Sequence, residues 1–503
     1  MGERAGRPGA RQRRRARSLK RQENDKTHKR RKRPPHDPLL RATRRRFPGL
    51  SVADPPLKHL VKGEAATGTP TAGRSAAAAA RRSPIGFLHL LGPGLITGAS
   101  DDDPSGVATY SQVGSQFGYG LLWTALFTFP LMAAVQELCA RTALQTGEGL
   151  GTSLRRKFPT WVVAIAVATL CVANTINLGA DLGAVAAGGS LLSGGHFPAG
   201  MLLLPIAGIV LALQLLTSYS LIFRLFKYLT VALLAYVVTL FLSRPNAMAV
   251  VTATVTPHVS MDAGFIAALV AVLGTTISPY LFFWQASSEV DEMKASGKNT
   301  VKQRRDVTNT ELRAARTDVL VGMGFSQLIM YCIIAASSAG LYAHGIHTVS
   351  TAAQAAQALR PAAGPFAPTV FAIGLIGTGM LAIPILSASS AYAVKELTGL
   401  HGSLAVRPRY RPIFYGIIVL ATLVGLAFNF FGVNPIAMLF ITAVINGVVC
   451  APLLTLIVLL GADRRVMRRR TSGRLSLVLT WTAVAATSAG AFALVLSPLL
   501  PRS

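Results

Sequence analysis

The sequence predicts an all-α polytopic membrane protein. Two five-helix halves of opposite orientation are followed by an eleventh helix, and helices 1 and 6 are broken. Three observations carry this. Of the 503 residues, 51% are hydrophobic and 14% charged, and mean hydropathy is +0.45, the composition of a bilayer-spanning chain. The basic residues fall in alternate loops. Two membrane-length apolar stretches, at equivalent positions in the two halves, are each interrupted by proline and small polar residues.

Residues 1–84 hold 24 of the 50 Lys and Arg residues. They are rich in Arg, Pro and Ala and lack apolar periodicity, so they are read as a disordered, basic cytoplasmic tail. No apolar run follows the early arginines, so this is not a signal peptide. The formal charge of +29 raises the question of nucleic acid or anionic lipid. The preferred reading is a solvated tail or an over-extended gene start, with no nucleic-acid partner expected.

From residue 85 to 503 the chain reads as one transmembrane domain. A span needs roughly 20 apolar residues, and eleven emerge: 85–117 (broken), 119–143, 160–192, 199–217, 221–243, 262–293 (broken), 317–342, 366–394, 412–431, 435–461 and 475–496. With the tail inside, the basic loops 141–157, 224–227, 294–316, 395–411 and 464–474 all fall on the cytoplasmic side. Only Arg244, Arg360 and Arg502 then lie outside. This places the chain in the cell (inner or plasma) membrane, with a cytoplasmic N-terminus and an external C-terminus. The four cysteines lie in or at the ends of apolar segments, without a disulfide framework or metal-binding CxxC pattern.

The first broken span runs Leu91-Gly-Pro-Gly-Leu-Ile-Thr-Gly-Ala-Ser-Asp-Asp-Asp-Pro-Ser-Gly-Val-Ala-Thr109. Pro104 removes a backbone donor, and Gly94, Gly98 and Gly106 lower helix propensity. A carboxylate at mid-membrane costs about 2.5–3.5 kcal/mol even on the mildest scale, so three of them must line a cavity or bind something. A plain helix cap is set aside because apolar sequence continues on both sides. The sixth span carries Pro279 after Gly274, Thr275, Thr276 and Ser278. Matching breaks in two halves point to a transporter with its site between them.

Asp101, Asp102 and Asp103 supply oxygen ligands. The freed carbonyls, with Thr275, Thr276 and Ser278, supply more. An oxygen-only set suits Mg²⁺, Ca²⁺ or Mn²⁺. No His, Cys or Met stands next to either break, so nothing soft is offered. Asp181, in the third span, stays open between an ion-pathway role and interhelical packing. Glu289 either lines an exit or pairs with Lys294. Glu137 and Arg141 read as a structural ion pair, and Gln327 and Asn446 as contacts between helices. Trp284 and Gln285 either face the vestibule or, as the preferred reading, pack.

At these residues the chain resembles the Nramp family of divalent metal transporters, over about residues 85–500 and most densely from Gly92-Pro-Gly94 to Gly149. The segment Gln136-Glu-Leu-Cys-Ala-Arg-Thr-Ala-Leu-Gln-Thr-Gly147 is similar to the family's second helix. The resemblance implies a LeuT-type fold. It implies that Asp103, in Asp103-Pro-Ser-Gly106, is the metal-binding aspartate. Gly106 then stands where the family has an asparagine ligand, and Ser278-Pro279-Tyr280 stands for Met-Pro-His. The carbonyls of Ser100 and Thr275 match family ligands. Asp181 matches an aspartate of the proton path, while Ala184 replaces an acidic residue. Loss of sulfur, histidine and a carboxylate is similar to the branch of Nramp-related magnesium transporters.

The expectation is therefore an importer of divalent cations, Mg²⁺ and/or Mn²⁺, working by alternating access, weakly or not proton-coupled, and not an enzyme. The site would comprise Asp103, Asp102, Ser100, Gly106, Thr275 and Ser278, with Asp101, Tyr280, Asp181 and Glu289 beside the path. No cofactor is expected. The partners are divalent cations and the bilayer. The rivals are a proton-coupled Mn²⁺/Fe²⁺ importer, an amino-acid or amine transporter on the same fold, and a membrane scaffold or sensor.

Overall fold

The computed structural model describes Gly2 and residues 93–216, 234–243, 245–305, 307–468 and 470–496. The tail, the loop 224–227, most of the span 221–243, Arg244 and Arg502 lie outside the described residues. Among the described residues all regular structure is helical.

The first span opens with α1 (Pro93–Asp101) and α2 (Pro104–Phe117). They part at Asp102–Asp103 because Pro104 lacks an N–H and suits the first turn of a new helix. A 3₁₀ turn at Gly118–Leu121 leads to α3 (Trp123–Thr146), the short α4 (Leu150–Lys157), α5 (Thr160–Leu192) and α6 (Ala199–Leu216). Then come α7 (Leu234–Leu242) and α8 (Ala247–Val255), the latter capped by the Asn246 side chain. The sixth span is α9 (Ala263–Thr276) and α10 (Pro279–Ala295), broken at Ile277–Ser278. After α11 (Val301–Arg304) comes α12 (Asn309–Gly340), then α13 (Ala352–Gln357), α14 (Arg360–Ala363) and α15 (Ala367–Thr398). The chain closes with α16 (Pro412–Phe428), α17 (Pro435–Ala462), α18 (Arg464–Met467) and α19 (Arg474–Leu496).

Nine segments among the described residues are long and apolar enough to cross a bilayer, counting α9 and α10 as one. They coincide with nine of the eleven expected spans. The first, described only from Pro93, falls outside that count; its described part is two helices of 9 and 14 residues parted at Asp102–Asp103. The fifth is described only as α7. The seventh helix starts at Asn309, not Thr317: Thr308 and Glu311 form a capping box that pins the first turn among charged residues. α4, in what reads as a bare basic loop, is a further difference; its charged end, Arg155–Lys157, masks it in a hydropathy reading.

α5 lies along α15, α17 packs on α5, α9 and α19, and α12 packs on both halves of the first span. Four of the basic loops share one face. Arg304 donates Nε to the Gly147 carbonyl at 2.9 Å, Lys157 pairs with Asp463 at 2.9 Å, and Arg155 reaches the Glu396 carbonyl. The Glu137–Arg141 pair is formed, and Gln327 Nε2 donates to Thr128 Oγ1 at 3.1 Å, tying α12 to α3.

Two glycines set how closely α1 approaches α12. A β-carbon at Gly94 would lie 2.6 Å from the Val319 amide nitrogen, and one at Gly98 would overlap the Gly322 backbone. Gly98→Val should therefore destabilise the protein by about 1–3 kcal/mol, the usual scale of overpacking. A lowered unfolding midpoint of the purified chain, with Gly416→Ala as an open-space control, checks this.

Candidate metal site

The two breaks meet. Ser278 Oγ lies 3.0 Å from Asp101 Oδ1, and Tyr280 Oη donates to the Ser100 carbonyl at 2.7 Å. The C-terminal ends of α1 and α9 thus face one region, and their carbonyl ends carry partial negative charge. Three carboxylates join them. Asp101, Asp102 and Asp103 are 1%, 1% and 2% exposed. Among the described residues no Lys or Arg pairs with any of them. Buried negative charge on this scale is costly unless a cation or proton compensates it.

The three aspartates do not point the same way. Asp103 Oδ1 accepts from the Gly106 amide at 2.8 Å and Ser105 Oγ at 2.6 Å, so it caps α2. The cap set aside on sequence grounds is present, but inside the protein and not at its surface. Asp103 Oδ2 accepts from Asn177 Nδ2 at 3.0 Å. Asp101 Oδ2 and Asp102 Oδ1 share the Ser326 hydroxyl of α12, at 2.9 and 3.2 Å. Asp102 Oδ2 is buried without a hydrogen-bond partner. Among the described residues no three His, Cys, Asp or Glu side chains are gathered as a metal cluster.

The other expected residues separate into two groups. Ser278 hydrogen-bonds within the site, to Asp101 and to the Thr275 carbonyl at 2.7 Å. Ser100 and Thr275 offer carbonyls, each already accepting one hydroxyl. Gly106 contributes its amide to the Asp103 cap, a donor and hence no ligand for a cation. Asp181, 0% exposed, has neither carboxylate oxygen hydrogen-bonded. Glu289 does not pair with Lys294, which binds Asp291 at 2.8 Å. Instead Thr97 Oγ1 donates to Gln285 Oε1, and Gln285 Nε2 donates to Glu289 Oε1 at 3.0 Å. Gln285 is thus a polar link below the break, more than packing.

Sequence reasoning missed Ser326, Asn177 and Cys450. Cys450 Sγ donates to the Ile277 carbonyl at 3.1 Å, so a thiol does touch the second break. Only Asn177 had a signal, its i−4 spacing from Asp181. Ser326 and Cys450 arrive from distant helices.

A model of the Nramp family, natural resistance-associated macrophage protein-like, matches residues 94–497. The chain belongs to the Nramp family. It is 30% identical over 296 residues to the divalent metal cation transporter MntH of Yersinia enterocolitica, covering 58% of this chain and 69% of that one. With the MntH of Deinococcus radiodurans it is 25% identical over 359 residues, covering 70% and 78%. Its fold is similar to that of the Eremococcus coleocola manganese transporter, with TM-score 0.63 at 15% identity over 86% of this chain and 88% of that one. Mhp1, a nucleobase-cation-symport-1 family transporter, is similar with TM-score 0.50 at 15% identity, over 82% and 94%. This Nramp chain therefore has the LeuT-type architecture expected of it, that of a membrane transporter and not an enzyme.

In this Nramp chain the Ser326 hydroxyl serves two carboxylates at once. Ser326→Ala should leave both with one donor fewer, at about 1–3 kcal/mol. Divalent-cation uptake by the reconstituted variant should fall about tenfold while its detergent-purified yield holds.

Proposed function

We propose that this protein imports divalent metal cations across the cell membrane by alternating access, and that its site favours Mg²⁺ and/or Mn²⁺ with weak or no proton coupling. The metal is cargo, not a cofactor. The observation that carries the reading is the oxygen character of the site. Three buried aspartates, the Asn177 amide, the Ser278 and Ser326 hydroxyls and the carbonyl ends of α1 and α9 meet there, and among the described residues no side-chain cation pairs with the aspartates. Hard oxygens suit ions that keep part of their water shell, as Mg²⁺ does.

In this reading Asp103 anchors the ion and Asp102, with its unpaired Oδ2, contributes charge. Ser278 and the Ser100 and Thr275 carbonyls orient the ion or its water. Asp101 holds Ser278 and Ser326 in place. Tyr280, where the family motif has histidine, carries a hydroxyl committed to Ser100, which speaks for weak proton coupling. Asp181 and Glu289 lie on the path at either side of the site. Rocking of α1, α2, α9 and α10 against the remaining helices would open each side in turn. Membrane potential, worth ~2.3 kcal/mol per charge per 100 mV, draws a divalent cation inward.

A second reading, proton-coupled import of transition metals such as Mn²⁺ or Fe²⁺, is favoured by Cys450, whose sulfur touches the second break. Proteoliposome uptake of Mg²⁺, Mn²⁺, Fe²⁺ and Cd²⁺ with internal pH recorded separates the two. The expected result is Mg²⁺ or Mn²⁺ flux without acidification, abolished by Asp103→Ala and retained by Cys450→Ala. Cd²⁺ and Fe²⁺ flux with acidification, lost in Cys450→Ala, would establish the second reading instead.

A further inference from the structure

We propose that Asn177 is a ligand of the transported ion, bringing an amide oxygen from α5 to the ion anchored at Asp103. The inference rests on the reading of Asp103 given above.

Asn177 is fully buried on α5, one helical turn before Asp181. Its Nδ2 donates to Asp103 Oδ2 at 3.0 Å. An ionised carboxylate only accepts hydrogen bonds, so the amide nitrogen must face Asp103 and the oxygen must take the other position. Covalent geometry separates the two amide atoms by about 2.3 Å, which keeps Asn177 Oδ1 within roughly 5 Å of Asp103 Oδ2. That Oδ1 is buried and has no hydrogen-bond partner.

Asp102, next to Asp103 in the chain, and Asp181, one turn after Asn177, add three more buried oxygens without partners, all acceptors; the Tyr110 hydroxyl beside Gly106 is unpartnered as well. Orphaned acceptors beside a carboxylate want a cation or the water it carries, because a buried acceptor left unsatisfied is costly. Two oxygens within roughly 5 Å can share one octahedral ion with bonds of about 2.0–2.1 Å, directly or through one bound water. Asp103 held by an amide on one side and a helix cap on the other is also a rigid anchor.

Gly106 gives an internal control. A β-carbon there would lie 3.3 Å from Tyr110 Cε2 and 3.6 Å from Asp103 Oδ1. Gly106→Asn therefore delivers an amide to the same carboxylate from α2, with a small shift of the Tyr110 ring.

The test is calorimetric titration of the purified full chain with Mn²⁺ alone, paired with Mg²⁺ and Mn²⁺ uptake into proteoliposomes. Asn177→Ala is expected to weaken Mn²⁺ binding and raise the uptake KM about tenfold, with maximal flux and the unfolding midpoint little changed. Asn177→Asp, which keeps an oxygen in place, and the double variant Asn177→Ala with Gly106→Asn should recover most of the loss. If Asn177→Ala binds Mn²⁺ as the parent does, water alone fills the orphaned oxygens and the inference falls. If Asn177→Asp is as weak as Asn177→Ala, the amide acts only as a donor to Asp103 and the inference falls as well. Where Asn177→Ala lowers the folded yield, Asn177→Asp decides by itself: binding at least as tight as the parent's supports the ligand, and binding more than about tenfold weaker overturns it. Unimpaired Mn²⁺ binding by Asp103→Ala would instead overturn the anchor reading.

Discussion

The rest of this structure depends on one constraint: peptide groups freed at a helix break inside a bilayer must find partners within the protein. Breaking two helices at adjacent points frees donors at the starts of α2 and α10 and carbonyls at the ends of α1 and α9. The donors at α2 are taken up by Asp103, which accepts the Gly106 amide. Several carbonyls take hydroxyl or thiol donors, Tyr280 on Ser100, Ser278 on Thr275 and Cys450 on Ile277. What is left over is acceptor-rich, and among the described residues no Lys or Arg pairs with its three aspartates, which favours positive charge there. The candidate site is in this sense what helix-end accounting leaves over.

The same helices are tied down away from the site, which bears on how access could alternate. The start of α1 is held by the Gly94 amide donating to Asp318 Oδ2 at 2.6 Å. The far half of α10 is held to α15 and the following loop. Asp291 accepts from Tyr392 at 2.7 Å and Ser403 at 2.6 Å, and Ser287 donates to Glu396 at 2.9 Å. Glu396 also accepts the Gly151 amide of α4 at 2.8 Å, so one buried carboxylate joins three elements on the basic face. Beside these polar contacts, Phe282, Phe283 and Val290 of α10 pack into the apolar core, and Gly94 and Gly98 let α1 lie against the α12 backbone.

Composition, charge placement and proline position determined the membrane class, nine of the spans, both breaks and the carboxylate run at the first, but not the Cys450 thiol that touches the second. They are legible because each follows from local chemistry: a span must be apolar, a proline cannot donate, and a carboxylate cannot sit in lipid unserved. Only the tertiary structure decided which oxygens are spent and which remain. It turned Asp103 into a buried cap, made Gly106 a donor, set Ser326 between Asp101 and Asp102, and placed Asn177 and Cys450 against the breaks. The Asn177, Cys450 and Ser326 pairings join residues 74 to 225 positions apart in the chain, whereas the Asp103–Gly106 cap spans three. No periodicity encodes them, because hydrogen-bond geometry at a site is fixed by how helices cross and not by how any one of them is patterned.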